Sequence, residues 1–148
     1  MKVVFRKPGG RLDAFDPAGD PMAFSVPTTP AWILETRARF PQLFLGLPPY
    51  MFECGEGWKG IVTSLCEGLE TLARPQLKIV QIKEKFGDLR VYVEGGDEAV
   101  HALIREAEAR SSTICEWCGA PGTKFGNGWI LTLCPACQEK RKLESSSG

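Results

Sequence analysis

The chain has 148 residues, 43% of them hydrophobic and 24% charged, the balance of a globular protein large enough to bury a core. Its 18 basic and 18 acidic residues cancel, which argues against generic nucleic-acid binding, since such proteins carry a basic excess. No stretch approaches membrane-spanning length and Met1 to Gly10 lacks the apolar run of a signal peptide, so a cytoplasmic protein is expected.

Taken in chain order, Lys2 to Arg6 reads as a short strand ending at Pro8-Gly9-Gly10, and residues 11 to 28 as a loop rich in turn formers. Thr29-Pro30 marks a helix start, with a hydroxyl N-cap and proline at the first helical position, and Pro41 stops that helix after Phe40. Leu43 to Phe52 is apolar but broken by Gly46, Pro48 and Pro49, so an irregular packed connector is expected. From Glu56 to Ala73 the apolar residues Trp58, Ile61, Val62, Leu65, Cys66 and Leu69 recur every three or four positions, one stripe of a helix closed by Arg74-Pro75.

Leu77 to Phe86 and Leu89 to Glu94 read as the two strands of a hairpin around Gly87-Asp88. Val80 and Ile82 would face inward with Val91 and Val93. After Gly95-Gly96, Asp97 is placed to cap a third helix running to about Ser111, with Val100, Leu103, Ile104 and Ala107 inside. Asn127-Gly128 predicts a second hairpin with a two-residue turn, and Pro135 opens a short helix ending near Leu143.

The strongest chemical signal is the quartet Cys115, Cys118, Cys134 and Cys137. Two Cys-x-x-Cys pairs stand fifteen residues apart, Gly119 through Leu133, the spacing of a four-thiolate zinc site. Each short gap lets a tight turn aim two sulfurs at one ion, and the long gap holds a hairpin that returns the second pair. Knuckle, hairpin and helix together predict a treble-clef or zinc-ribbon module. Catalytic zinc keeps a position open for water, whereas four sulfurs close the shell, so one structural Zn²⁺ is the expected cofactor. Paired thiols used in this way suit a reducing compartment. A tetrathiolate zinc centre carries a charge of about −2. That outweighs Lys124, Lys140, Arg141 and Lys142 set against Glu116, Glu139 and Glu144 in the same segment.

Elsewhere the chemistry is sparse. Cys66 lies on the apolar helix stripe as a small hydrophobe, while Cys54, just before that helix, reads as reactive only if an electropositive neighbour lowers its pKa. His101, the sole histidine, reads as a half-exposed helix residue and cannot build a histidine-based hydrolase site. Gly55-Glu56-Gly57-Trp58 is too short and acidic for a phosphate cradle and reads as a flexible lead-in to the helix. Glu106 and Glu108 read as solvated surface. Lys83, Lys85 and Arg90 flank the first hairpin turn, and together with Lys124 and Trp129 they are the candidate partner-contacting residues.

The runs Cys54-Gly55-Glu56-Gly57-Trp58, Glu84-Lys85-Phe86-Gly87-Asp88-Leu89-Arg90, Gly95-Gly96, Cys115-Glu116-Trp117-Cys118-Gly119 and Gly128-Trp129 to Thr132-Leu133-Cys134 resemble a family of small zinc-knuckle proteins of tailed phages, prophages and bacteria. The resemblance spans roughly residues 40 to 138 and implies a bacterial cytoplasm and no assigned enzyme activity. Cys137 stands where other members carry a histidine.

Together these features predict an α+β domain over residues 1–112 built of a hairpin and helices. It continues into a four-cysteine zinc module at 113–144, and residues 145–148 form a flexible tail or expression remnant. The expected function is a non-enzymatic, zinc-stabilised protein that binds, and inhibits, a host protein complex such as a defence system or polymerase. One alternative is nucleic-acid binding through Lys83, Lys85, Arg90, Lys124, Lys140, Arg141 and Lys142. The other is a hydrolase whose carboxylates the sequence does not place.

Overall fold

The computed structural model describes residues 29–147; the expected strand at Lys2–Arg6 and the loop at 11–28 lie outside the described residues. Helix α1 spans Ala31–Arg39. It begins one residue later than expected, with Pro30 itself at the N-cap and no side-chain cap. The connector behaves as its sequence predicts, burying Leu43, Phe44 and Leu47. It also contributes the two-residue strand β1, Phe52–Glu53, too short for periodicity to reveal. A 3-10 turn at Glu56–Trp58 leads into α2, Lys59–Leu72.

Strands β2, Lys78–Lys85, and β3, Asp88–Glu94, form the expected hairpin. The sheet order is β1-β2-β3, with β1 parallel to β2 and β3 antiparallel. The register shifts between Ile79 and Gln81. This inserts Val80 as an extra residue and changes the phase of the strand, because each added residue turns side chains to the opposite face. The inward pair on β2 is therefore Ile79 and Ile82, both fully buried, and Val80 is displaced from the role its alternation suggested.

The turn itself is Phe86-Gly87, and Asp88 already belongs to β3. Phe86 at φ 54° and Gly87 at φ 85° are both left-handed, the pattern of a type I′ hairpin that ordinarily takes Asn-Gly. Glycine adopts that conformation freely. A phenylalanine there costs on the order of 1 kcal/mol, and this one is 64% exposed, so burial does not offset the strain.

Helix α3, Glu98–Ser111, is capped by Asp97, whose carboxylate accepts from the Val100 N–H at 3.1 Å. It packs against α2 and β3 and also closes the open edge of the sheet. The Leu89 N–H donates to Ser111 Oγ at 2.9 Å and the Val91 N–H to Glu108 Oε2 at 3.1 Å. Side chains thereby occupy donors that would otherwise template another strand. Glu108, read from sequence as solvated, is part of this edge cover. The main core joins α1, the connector, α2, the sheet and α3, with Phe52 stacked on Phe44 and meeting Trp32 edge-on at 5.4 Å.

The C-terminal segment carries β4, Thr123–Phe125, antiparallel to β5, Leu131–Leu133, then α4, Pro135–Ser147. Phe125 pairs with Leu131, so the hairpin loop holds residues 126–130 instead of a two-residue Asn127-Gly128 turn. Its conformation is set from outside the hairpin: the Arg141 guanidinium donates to the carbonyls of Phe125 and Trp129. A second small core contains Cys115, Leu131, Leu133, Cys134 and Cys137. The architecture is a mixture of helices and small sheets, and among the described residues no helix is long and apolar enough to cross a membrane.

Helix α2 ends on Ala73, which adopts a left-handed conformation at φ 56°, ψ 56° and is exposed. Glycine is the residue suited to that cap. Ala73→Gly should raise unfolding free energy by about 0.5–1 kcal/mol, seen as a higher urea midpoint at unchanged slope.

Candidate metal centre

Helix α3 delivers the chain directly into the first cysteine pair. Backbone bonds fold the knuckle tightly: Cys115 N–H donates to Ala120 O at 2.7 Å, Gly119 N–H to Cys115 O at 2.9 Å and Gly122 N–H to Thr113 O at 3.0 Å. The second pair sits at the start of α4. There the Cys137 N–H donates to Cys134 Sγ at 3.4 Å, so Cys134 caps the helix with sulfur where an Asn or Ser oxygen would ordinarily serve. The β4–β5 hairpin brings the two pairs together.

All four sulfurs lie within 4.8 Å of one another, Cys118 and Cys134 being 3.5 Å apart. None is disulfide-bonded. Zinc–thiolate bonds of about 2.3 Å in a tetrahedron place sulfurs about 3.8 Å apart, so the cluster has the dimensions of one four-sulfur metal site. Cys115, Cys134 and Cys137 are buried and Cys118 is exposed. The amide of Cys137 draws the Cys134 pKa down to about 7, whereas burial and the neighbouring sulfurs push Cys137 up to about 12. Four thiolates this close repel one another unless a cation sits among them.

The knuckle is also bonded to the larger domain, through residues that the sequence reading took for a flexible lead-in. The Gly57 N–H donates to Glu116 O at 2.8 Å, the Gly55 N–H to Glu116 Oε2 at 2.9 Å, and Trp58 Nε1 to Ile114 O at 2.8 Å. Glycine is required there for space. A Cβ on Gly57 would run into the Cys115 carbonyl oxygen and lie 2.6 Å from the Glu116 carbonyl carbon. One on Gly55 would lie 2.9 Å from Glu116 Cγ. The Gly-x-Gly-Trp spacing was the available signal: two positions without side chains beside one large anchor denote a close backbone approach.

Three acidic groups meet beside this seam. Glu116 is buried, and that burial, with the nearby charge of Glu84, pushes its pKa up to about 8. Glu84, half-buried, is also raised by burial, against a 2.8 Å hydrogen bond that it accepts from Gly87 N–H. Burial, and then the charges of Glu116 and Glu84, push the Cys54 thiol well above its ordinary range. This is the reverse of the electropositive setting that activates a thiol. Cys66 is buried in α2, and its pKa is pushed up to about 12, chiefly by burial. His101 is exposed on α3.

The candidate contact residues divide. Lys83 and Arg90 are register partners on β2 and β3. Arg90 lies 3.7 Å from Asp88 and 3.8 Å from Glu108, and Lys124 lies 2.6 Å from the same Asp88. Lys85 and Trp129 are exposed, Trp129 by 70%. The first hairpin turn rests on the second hairpin: Thr132 Oγ1 donates to Gly87 O at 2.7 Å, and the Lys124 side chain packs along Gly87. Of the cations proposed for phosphate contact, Arg90, Lys124 and Lys142 all have carboxylate partners within 4 Å.

No family model, curated protein or solved structure matches the chain.

Gly57→Ala should cost about 3 kcal/mol and raise amide exchange at residues 114–118. Gly60→Ala, three residues on and with open space at its Cβ position, should leave stability unchanged or slightly higher. Chemical denaturation of the two variants side by side checks the contrast.

Proposed function

We propose that the protein is a non-enzymatic binding protein whose C-terminal module is scaffolded by a single Zn²⁺ on Cys115, Cys118, Cys134 and Cys137. The observation that carries this reading is the donor set: four sulfurs, all within 4.8 Å of one another, can fill the shell of a zinc ion. A filled shell gives the metal a folding role, because a coordination position for substrate would need one ligand fewer. In this reading the tight knuckle, short hairpin and helix that supply the sulfurs make up a treble-clef module.

The partner in this reading is a protein. Trp129 and Phe86 present rings to solvent on turns that metal and hydrogen bonds hold in place, and aromatic side chains on rigid supports are the usual anchors of protein interfaces. Three of the seven cations considered for phosphate contact, Arg90, Lys124 and Lys142, already lie within 4 Å of carboxylates, which weakens the nucleic-acid alternative. The motif resemblance extends the proposal to a phage or prophage product in the bacterial cytoplasm, acting on a host complex such as a defence system or polymerase and blocking it.

Affinity capture with the zinc-loaded protein from a bacterial lysate, eluted with a chelator, tests the reading. A host protein released when the metal is removed is the expected result. Recovery of nucleic acid alone, or release unaffected by chelation, would contradict it.

A further inference from the structure

The chain holds a single asparagine, Asn127, and a glycine follows it. Asparagine is chemically labile, because its side-chain amide carbon stands one ring closure away from the next residue's backbone nitrogen. Attack by that nitrogen is intramolecular, so no enzyme has to bring the two groups together. A side chain on the following residue hinders the approach, and Gly128 has none. A folded chain suppresses the reaction by burying the pair or by locking its torsions in regular structure.

Neither protection applies at this pair. Asn127 and Gly128 are both exposed. The two-residue turn that Asn-Gly favours is replaced by the loop at 126–130, which lies between the paired residues Phe125 and Leu131. Among the described residues no hydrogen bond engages the Gly128 N–H or the Asn127 side chain. The space for ring closure is also open, since a Cβ on Gly128 would meet nothing within 4 Å.

One cation holds the loop, at its ends and not at the pair itself. The Arg141 guanidinium donates from Nη1 to Phe125 O at 3.1 Å and from Nη2 to Trp129 O. A Cβ on Gly126 would lie 2.7 Å from Arg141 Nη1, so the guanidinium stands against the residue next to Asn127. Its hydrogen bonds here go to neutral carbonyl oxygens. A carboxylate in the same loop would accept more strongly, because a bond between two charged groups is the stronger kind.

We propose that Asn127 is a self-modification site whose product carboxylate draws the Arg141 guanidinium away from the Phe125 and Trp129 carbonyls. The Gly128 nitrogen attacks the Asn127 side-chain amide carbon, a C–N bond forms, and the side-chain nitrogen leaves as ammonia with the proton that Gly128 gives up. Water then opens the five-membered imide at one of its two carbonyls. One opening leaves aspartate; the other leaves isoaspartate, which lengthens the main chain by one carbon between the two carbonyls that Arg141 holds. Either product places a negative charge two residues from Trp129, and the loop's conformation changes irreversibly as the protein ages. The inference depends on neither the metal nor the partner proposed above.

Incubation of the zinc-loaded protein at physiological temperature and neutral pH, followed by peptide mapping and isoaspartyl methyl-transfer labelling, tests the site. The peptide containing Asn127 should gain the mass of the acid at a rate within about tenfold of a free peptide of residues 122–132. The rate should rise with pH, because the attacking nitrogen must shed its proton, and Asn127→Gln should remove the labelling. In the Asn127→Asp variant the introduced carboxyl should titrate below the ordinary aspartate range, and return to that range when Arg141→Met is added. Folded protein slower than the peptide by more than about tenfold would show that the loop shields the pair, and would overturn the site. An introduced carboxyl that titrates at its ordinary value with Arg141 in place would overturn the rearrangement.

Discussion

The backbone of Gly57 lies against the carbonyls of Cys115 and Glu116, and the C-terminal module is positioned by that approach. The knuckle is two things at once. It supplies two sulfurs to the four-thiol cluster, and its outer surface receives the amides of Gly55 and Gly57 and the indole N–H of Trp58. Trp58 is in turn fully buried in the main core. A metal ion that fixes the cysteines thus fixes the platform on which the start of α2 rests. The second core contains only five buried residues, three of them cysteines. Too little apolar surface is removed from water there to order the segment unaided, which is why ligation supplies folding energy in modules of this size.

A second contact runs in parallel. The tip of the β2–β3 hairpin bonds to Thr132 and Lys124 of the metal module, so the module is held at two places, by the Gly55–Trp58 segment and by the hairpin turn. Both seams are mainly polar, built from hydrogen bonds and one exposed ion pair, while the apolar cores stay separate. Polar seams of this kind contribute modest net stability per bond but demand specific geometry.

What was legible in the sequence follows the range over which each signal acts. The Asp97 cap, the apolar stripes of α2 and α3 and the two Cys-x-x-Cys pairs are local patterns, and each corresponds to an element or cluster in the structure, whereas the expected Thr29 cap of α1 does not form. Long-range effects were hidden. The bulge at Val80 moved the buried positions of β2 to Ile79 and Ile82, because strand phase is settled by pairing partners. The Asn127-Gly128 signal gave way to a five-residue loop, because Arg141, twelve residues beyond Trp129, bonds its carbonyls. Gly55 and Gly57 looked like flexibility until their neighbours, some sixty residues further along, explained why no side chain fits. Glu108 looked solvated because the open edge of β3 cannot be seen from α3 alone.

The proposed module depends on one metal ion held by four sulfurs and by nothing else. Native mass spectrometry of the zinc-loaded chain, paired with thiol alkylation before and after chelation, tests this most directly. One zinc per chain is expected, with Cys115, Cys118, Cys134 and Cys137 protected together and released together when the metal is withdrawn. Full occupancy and unchanged affinity in a Cys118→Ser variant, or cysteine pairs found as disulfides in a metal-free folded chain, would contradict it.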